Sequence, residues 1–247
     1  MPTRPLVLGH RGAPRARPEN TLAGFAKARQ LGADGVELDA RRTADGTLVV
    51  HHDPHVEGVG LLVERRFEEL RAARPAIPTL AEALQACAGM LVNVEIKCLP
   101  WEPDADSPGR DVVHAVASVV RAASYVPVSD VIVSSFDLGA VDECRAFAPE
   151  VTTAWLTSGQ ELASAAAVAC EHGHEWLHPD RAAALRASAG EIAVAKDSGL
   201  RVNVWTVDDA DEIVQLAKAG VDAIITDVPD VATSVLGEMI ELRGRRR

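Results

Sequence analysis

Residues 35–54 read Gly35-Val36-Glu37-Leu38-Asp39-Ala40-Arg41-Arg42-Thr43-Ala44-Asp45-Gly46-Thr47-Leu48-Val49-Val50-His51-His52-Asp53-Pro54. In a β-strand successive side chains point to opposite faces, so Glu37 and Asp39 share one face and Val36 and Leu38 the other. Two carboxylates on one face repel unless a cation holds them. An exposed strand would tolerate this pattern. A strand whose outer face is covered by helices must turn both acids toward the inside of the fold or its rim. The remainder of the chain indicates which case applies.

Short β-like runs alternate with helical patterns from end to end. Leu6-Val7-Leu8-Gly9 reads as a strand, and Glu19 to Leu31 as a helix with Leu22, Phe25, Ala26 and Ala28 on or near one face, closed by Gly32. Gly35 to Ala40 is the next strand. Asp45-Gly46 signals a turn into a short extended run, Leu48 to His52. Thr79 caps a helix to Ala88, with Glu82 completing a capping box. Further strands are expected at 91–97, 131–135, 152–156, 175–178, 202–207 and 223–226, with helical segments between and after them. Strand–helix alternation with no composition shift predicts one α/β domain over residues 1–247. Eight long-spaced strands suit a (β/α)₈ barrel, and the run at 48–52 makes a ninth: either it is a hairpin addition or one other strand assignment is wrong.

Barrel active sites lie at the C-terminal ends of the strands. His10 and Arg11 follow the first strand. Glu37 and Asp39 end the second, and Glu95 and Lys97 repeat the i, i+2 geometry at the end of another. Ser135 and Phe136, His178, Trp205 and Thr206, and Thr226 and Asp227 end later ones. Polar strand ends recurring on one rim point to a site. Hard oxygen ligands such as Glu37, Asp39 and Glu95 suit Mg²⁺ or Ca²⁺. Alternation lets only one of His51 and His52 face that site, and parity alone does not choose. His55, His114, His172 and His174 read as loop or helix residues without a site role.

Composition sets bounds. Apolar residues are 47% and aromatics 4%, which implies an aliphatic core with closely packed helices. A net charge of −11 argues against a nucleic-acid partner. The C-terminal Arg245-Arg246-Arg247 reads as a solvated tail. Cys87, Cys98, Cys144 and Cys170 are widely spaced and form no Cys-x-x-Cys pair, which argues against a structural zinc site built on them. The sequence opens directly into a strand and holds no long apolar run, so a cytoplasmic protein without stable membrane insertion is expected.

Taken together, His10-Arg11-Gly12, Pro18-Glu19-Asn20-Thr21, Glu37-Leu38-Asp39, His52-Asp53-Pro54, Glu95-Ile96-Lys97, Trp205-Thr206-Val207 and Thr226-Asp227-Val228-Pro229 resemble the glycerophosphodiester phosphodiesterase family. The resemblance spans positions 8 to 229. It implies a TIM-type barrel that hydrolyses glycerophosphodiesters to sn-glycerol 3-phosphate and an alcohol with a divalent metal, Mg²⁺ or Ca²⁺ and in some cases Mn²⁺. It further implies Glu37, Asp39 and Glu95 as metal ligands and His10 and His52 as the acid/base pair. Arg11 and Lys97 would be phosphate contacts, Glu19 a further site residue and Trp205 an aromatic wall; Phe136 is a second candidate wall residue. The rival within this chemistry is a related phosphodiesterase acting on lysophospholipids. An aldolase-like barrel with Lys97 as Schiff base would leave the carboxylates without a purpose. About two dozen residues separate Pro54 from the Pro78-Thr79 helix start, too few for a large inserted domain. Trp101, Phe136 and Trp205 are therefore the expected aromatic lining.

Overall fold

The computed structural model describes residues 4–99 and 111–244. Eight parallel strands form the central sheet: β1 (Leu6–Gly9), β2 (Gly35–Arg42), β6 (Leu91–Ile96), β7 (Val131–Ser135), β8 (Thr152–Thr157), β9 (Trp176–Pro179), β10 (Arg201–Val204) and β11 (Ala223–Thr226). β1 pairs with both β2 and β11, which closes the sheet into a barrel. Closure removes every free edge that an open sheet would leave.

The short run after the Asp45-Gly46 turn resolves the count of nine. It forms β3 (Leu48–Val50), which pairs antiparallel with the end of β2 and lies outside the barrel circuit. It is a hairpin addition, and it stops at Val50 rather than His52. Between β3 and the next barrel strand the chain makes a small excursion. It contains the two-residue strands β4 (His55–Val56) and β5 (Gly60–Leu61) and the helix α2 (Phe67–Ala73). Val49, Val56, Leu62, Leu70 and Ile77 give it a core of its own. No large domain is inserted there.

Helices wrap the outside: α1 (Leu22–Gln30), α3 (Leu80–Ala86), α4 (Asp111–Ala122), α5 (Leu138–Phe147), α6 (Leu162–Glu171), α7 (Arg181–Arg186), α8 (Ala189–Asp197), α9 (Ala210–Ala219) and α10 (Pro229–Gly244). Outward strand residues such as Val36, Leu38, Val92 and Val94 pack with helix residues such as Phe25, Leu84 and Val116. Because that outer face is apolar and covered, Glu37, Asp39 and Glu95 project into the barrel, and all three are buried. The helix read as Glu19 to Leu31 begins only at Leu22, because Thr21 is its cap and accepts from the Gly24 amide at 3.0 Å. Glu19 and Asn20 are thereby left in the loop that faces the rim.

At the start of α3, Thr79 Oγ1 accepts from the Glu82 amide at 3.1 Å and Glu82 accepts from the Thr79 amide at 2.8 Å. Arg71 of α2 donates to the same carboxylate at 2.5 Å, tying the excursion to α3. Thr79→Ala should lower stability by ~1 kcal/mol, the usual worth of such a cap. Urea unfolding checks this: the midpoint should fall while the slope stays constant. An unchanged midpoint would mean that the cap is redundant here.

Candidate active site

Register brings the acids together. Asp39 lies opposite Glu95 on the neighbouring strand, and Glu37 opposite Asn93. One oxygen from each of Glu37, Asp39 and Glu95 lies within 4.8 Å of the others. Burial pushes the Glu37 carboxyl up, to about 8, and Asp39 beside it adds to the rise. Glu95 is raised by burial too, with Lys97 opposing. Asp39 goes the other way. Burial would raise it, but Lys97, Arg11 and His52 outweigh that cost, and an amide hydrogen bond from Asn20 at 2.7 Å adds to their effect.

Two cations answer part of this charge. Lys97 Nζ lies 3.1 Å from Asp39 Oδ1 and 2.6 Å from Glu95 Oε1. Despite those contacts both oxygens are buried without a hydrogen bond of acceptable geometry. Arg11 places its Nε 3.4 Å from Asp39 Oδ2, and its backbone amide donates to Glu37 Oε2 at 2.9 Å. Its guanidinium also donates to both oxygens of Glu19 at 3.1 and 3.2 Å, so Glu19 orients Arg11. Arg11 adopts φ 50°, a left-handed conformation that is uncommon outside glycine and occurs at functional turns. Gly12 follows at φ 97°, and a Cβ there would meet the Gly24 carbonyl carbon at 2.7 Å.

The donor set fits a hard divalent ion. Three carboxylates converge, Asp39 Oδ1 and Glu95 Oε1 lack a satisfactory donor, and burial, reinforced by the other two acids, pushes the Glu37 carboxyl toward its neutral form. Carboxylate ligands in this number suit Mg²⁺ or Ca²⁺.

His10 and His52 flank the acids. Each ring is backed at Nδ1 by an aspartate at 2.7 Å, His10 by Asp227 and His52 by the adjacent Asp53. A carboxylate can only accept, so Nδ1 donates and Nε2 is the nitrogen offered to the site. Asp227 is itself fixed by its amide bond to Asp208 Oδ1 at 2.8 Å. His52 is further held by the fully buried Arg41, whose Nε donates to the His52 carbonyl at 2.7 Å. The charges of Lys97, Asp39 and Arg11 all act on His52. His51 instead binds the Asp53 carbonyl at 2.8 Å through its ring.

Phe136 and Trp205 are half-buried and meet edge to face at 5.3 Å, forming an apolar patch beyond β7 and β10. Trp205 Nε1 donates to the His178 carbonyl at 2.9 Å, which fixes its plane. Trp101 lies outside the described residues. His178, one of the polar strand ends, is fully buried, and burial pushes its pKa down to about 3, so it stays neutral below the rim. Sequence reasoning passed over Asp53, Asn20, Asp208 and Arg41. The first two sit inside the quoted motifs, and the others carry no local signal.

A sequence model of the glycerophosphoryl diester phosphodiesterase family matches residues 10–231. The chain belongs to this family. It is 31% identical to a glycerophosphodiester phosphodiesterase of Caldanaerobacter subterraneus subsp. tengcongensis, in an alignment covering 94% of this chain and 97% of that one. Among solved structures it resembles a glycerophosphoryl diester phosphodiesterase of Silicibacter pomeroyi, with TM-score 0.84 and 28% identity, over 97% of this chain and 95% of that one. It also resembles an Oleispira antarctica phosphodiesterase solved in complex with the product sn-glycerol-3-phosphate. There the TM-score is 0.80 and the identity 26%, over 95% and 97% of the two chains. As a member of the glycerophosphoryl diester phosphodiesterase family the chain is a phosphoric diester hydrolase on a TIM-type barrel. Among the described residues no helix is long and apolar enough to cross a membrane.

Millimolar Mg²⁺, Ca²⁺ or Mn²⁺ should raise the thermal midpoint of this phosphodiesterase in proportion to the logarithm of its concentration. Glu37→Gln removes one ligand charge and little volume, so it should fold and show at most a small rise. Equal rises in the two proteins would exclude Glu37 as a ligand.

Proposed function

We propose that the chain hydrolyses glycerophosphodiesters to sn-glycerol 3-phosphate and an alcohol, with a divalent ion held by Glu37, Asp39 and Glu95. The observation that carries this reading is the convergence of those three buried carboxylates between two histidines, each oriented by its own aspartate. When bound, the ion would supply Lewis acidity and a template for phosphate oxygens. Mg²⁺ and Ca²⁺ are the ions we favour, with Mn²⁺ next.

The protein's own groups do the rest. Arg11 offers a planar fork to the phosphate and Lys97 a point charge. Lys97 is held above its ordinary pKa: burial opposes this, but Glu95 and Asp39 outweigh it. An ammonium so held is a poor amine nucleophile, which argues against the Schiff-base alternative. His10 is raised above the ordinary imidazole value. Burial lowers it, and the hydrogen bond to Asp227 and the charge of Glu37 more than compensate. His52 is lowered, first by burial and then by Lys97. Environments that push two titrating groups apart divide the acid and base roles between them. In this reading neutral His52 takes a proton at Nε2 from the nucleophile, and protonated His10 gives one from Nε2 to the departing oxygen. The nucleophile is the glycerol hydroxyl next to the phosphorylated carbon, closing a cyclic phosphate that water then opens. A water in the same place would use the same two proton transfers.

His10→Ala and His52→Ala should each lower turnover by ~10²-fold or more, as loss of a general acid or base does. His51→Ala should cost far less. The rate against pH should be a bell around the ordinary imidazole value of 6.5. Its acid limb, where His52 must lose its proton, lies below that value, and its basic limb, where His10 must keep one, lies above it. Asp227→Asn should move the basic limb to lower pH. If that limb stays in place, His10 is not the acid.

Beyond the phosphate, Phe136 and Trp205 offer apolar contacts to glycerol carbons or a small leaving group and no charge to read a headgroup. Choline, ethanolamine, glycerol and inositol esters should therefore react with kcat/KM values within roughly 1–2 kcal/mol of one another. A panel that includes lysophospholipids, run with EDTA and with each ion, tests this. A thousandfold preference for a long acyl chain would establish the lysophospholipid reading instead.

A further inference from the structure

On the face of the barrel away from the catalytic rim, Asp142 of α5 meets His172 and His174, which precede β9. One ligand atom from each of the three lies within 4.8 Å of the others. His172 Nδ1 lies 3.0 and 2.9 Å from the two Asp142 oxygens. His174 Nε2 lies 3.2 Å from Asp142 Oδ1, and the His174 side chain is 0% exposed.

The proton count at His174 is the informative part. Its Nδ1 is 2.9 Å from Thr153 Oγ1. That hydroxyl is also 3.2 Å from Glu175 Oε2, which accepts from the Thr153 amide at 2.9 Å while Arg145 pairs with the other oxygen at 3.1 Å. The Glu175 carboxylate can only accept, so the threonine proton points to it. The hydroxyl oxygen must then accept from His174 Nδ1–H, leaving a lone pair on Nε2. Nε2 is buried with no hydrogen bond, and the atom it faces is a carboxylate oxygen. Two electron-pair donors in contact require a cation between them. Burial disfavours an imidazolium as that cation.

We propose that Asp142, His172 and His174 bind a zinc ion, through Asp142 Oδ1, His172 Nδ1 and His174 Nε2, with the fourth position open to solvent. Two imidazole and one carboxylate ligand suit Zn²⁺. Ligands on one tetrahedral zinc at roughly 2.0–2.1 Å lie about 3.3 Å apart, close to the 3.0 and 3.2 Å that separate Asp142 Oδ1 from His172 Nδ1 and His174 Nε2. Thr153 and Glu175 supply the outer partner that fixes the tautomer of a ligating histidine. When the metal takes Nδ1, the single proton of the neutral His172 ring sits on Nε2, and the Asp142 oxygen that accepted it turns to the metal. The ion would staple α5 to the turn that leads into β9.

The test uses the full chain with Glu37→Gln, which disables the oxygen site, titrated with Zn²⁺ against a chromophoric zinc indicator in excess Mg²⁺. We expect one zinc per chain at this cluster. His172→Ala and the near-isosteric Asp142→Asn should each weaken it by at least ~10-fold, the scale on which even outer-shell partners act. Either substitution in the otherwise unaltered chain should leave Mg²⁺-supported phosphodiester hydrolysis at its full rate. Zinc should raise the thermal midpoint of the Glu37→Gln chain and not that of its Asp142→Asn derivative. No zinc binding, or binding indifferent to both substitutions, overturns the proposal.

Discussion

Glu37, Asp39 and Glu95 put three carboxylates inside a barrel where burial opposes any charge, and most of the surrounding architecture answers that one constraint. Parallel pairing of β2 with β6 sets Asp39 beside Glu95, and their outward neighbours cannot exchange places with them because helices cover that side. The acids are therefore committed to the interior at the moment the barrel closes. What remains is neutralisation, and Lys97, Arg11 and Asn20 supply only part of it. Replacing buried ion clusters with apolar residues often stabilises a protein. An interior that retains one is therefore arranged for something other than stability. In the function proposed above, that something is affinity for a cation and for the anion the cation attracts.

The same constraint explains the backbone of the loop after β1. Arg11 must point its amide at Glu37 and its guanidinium at Asp39 and Glu19 together. An extended residue aims its amide and side chain differently, and the positive φ at Arg11 followed by Gly12 is the turn that reconciles the two. Gly12 also lets this loop lie against α1 at Gly24, where a side chain would collide with backbone. A glycine at 12, an arginine at 11 and a late helix start at Leu22 thus form one device.

Much of this was legible in the sequence because barrels convert periodicity into position. Glu37 with Asp39, and Glu95 with Lys97, show their common face through i, i+2 spacing, and apolar neighbours show that the other face is covered. Where periodicity failed, a local contact had overridden it. Strand β3 ends at Val50, so no alternation reaches His51 and His52; Asp53 sorts them, binding one ring through its side chain and the other through its carbonyl. The small core of the excursion between β3 and α3 arises from residues spread over 49–77, too scattered to give a helix or strand signal. Asp227 reaches His10 only because β11 closes on β1, a contact across 217 positions, and Asp208 in turn holds Asp227 through its amide.

The cluster of Asp142, His172 and His174 shows the same limit from the other side. The sequence places these histidines in a loop beside a helix end and offers no motif. Only the fold brings α5 alongside the approach to β9. Its donors are nitrogen-rich and partly open to solvent, whereas those of the rim are three buried oxygens. Softer nitrogen donors favour zinc over Mg²⁺ or Ca²⁺, and the all-oxygen set suits the harder ions. If both proposals hold, the two sites would take different metals without either competing strongly for the other's ion. The division follows from ligand type alone: the barrel interior admits carboxylates only where cations balance them, and a neutral imidazole can be buried on the far side without that balance.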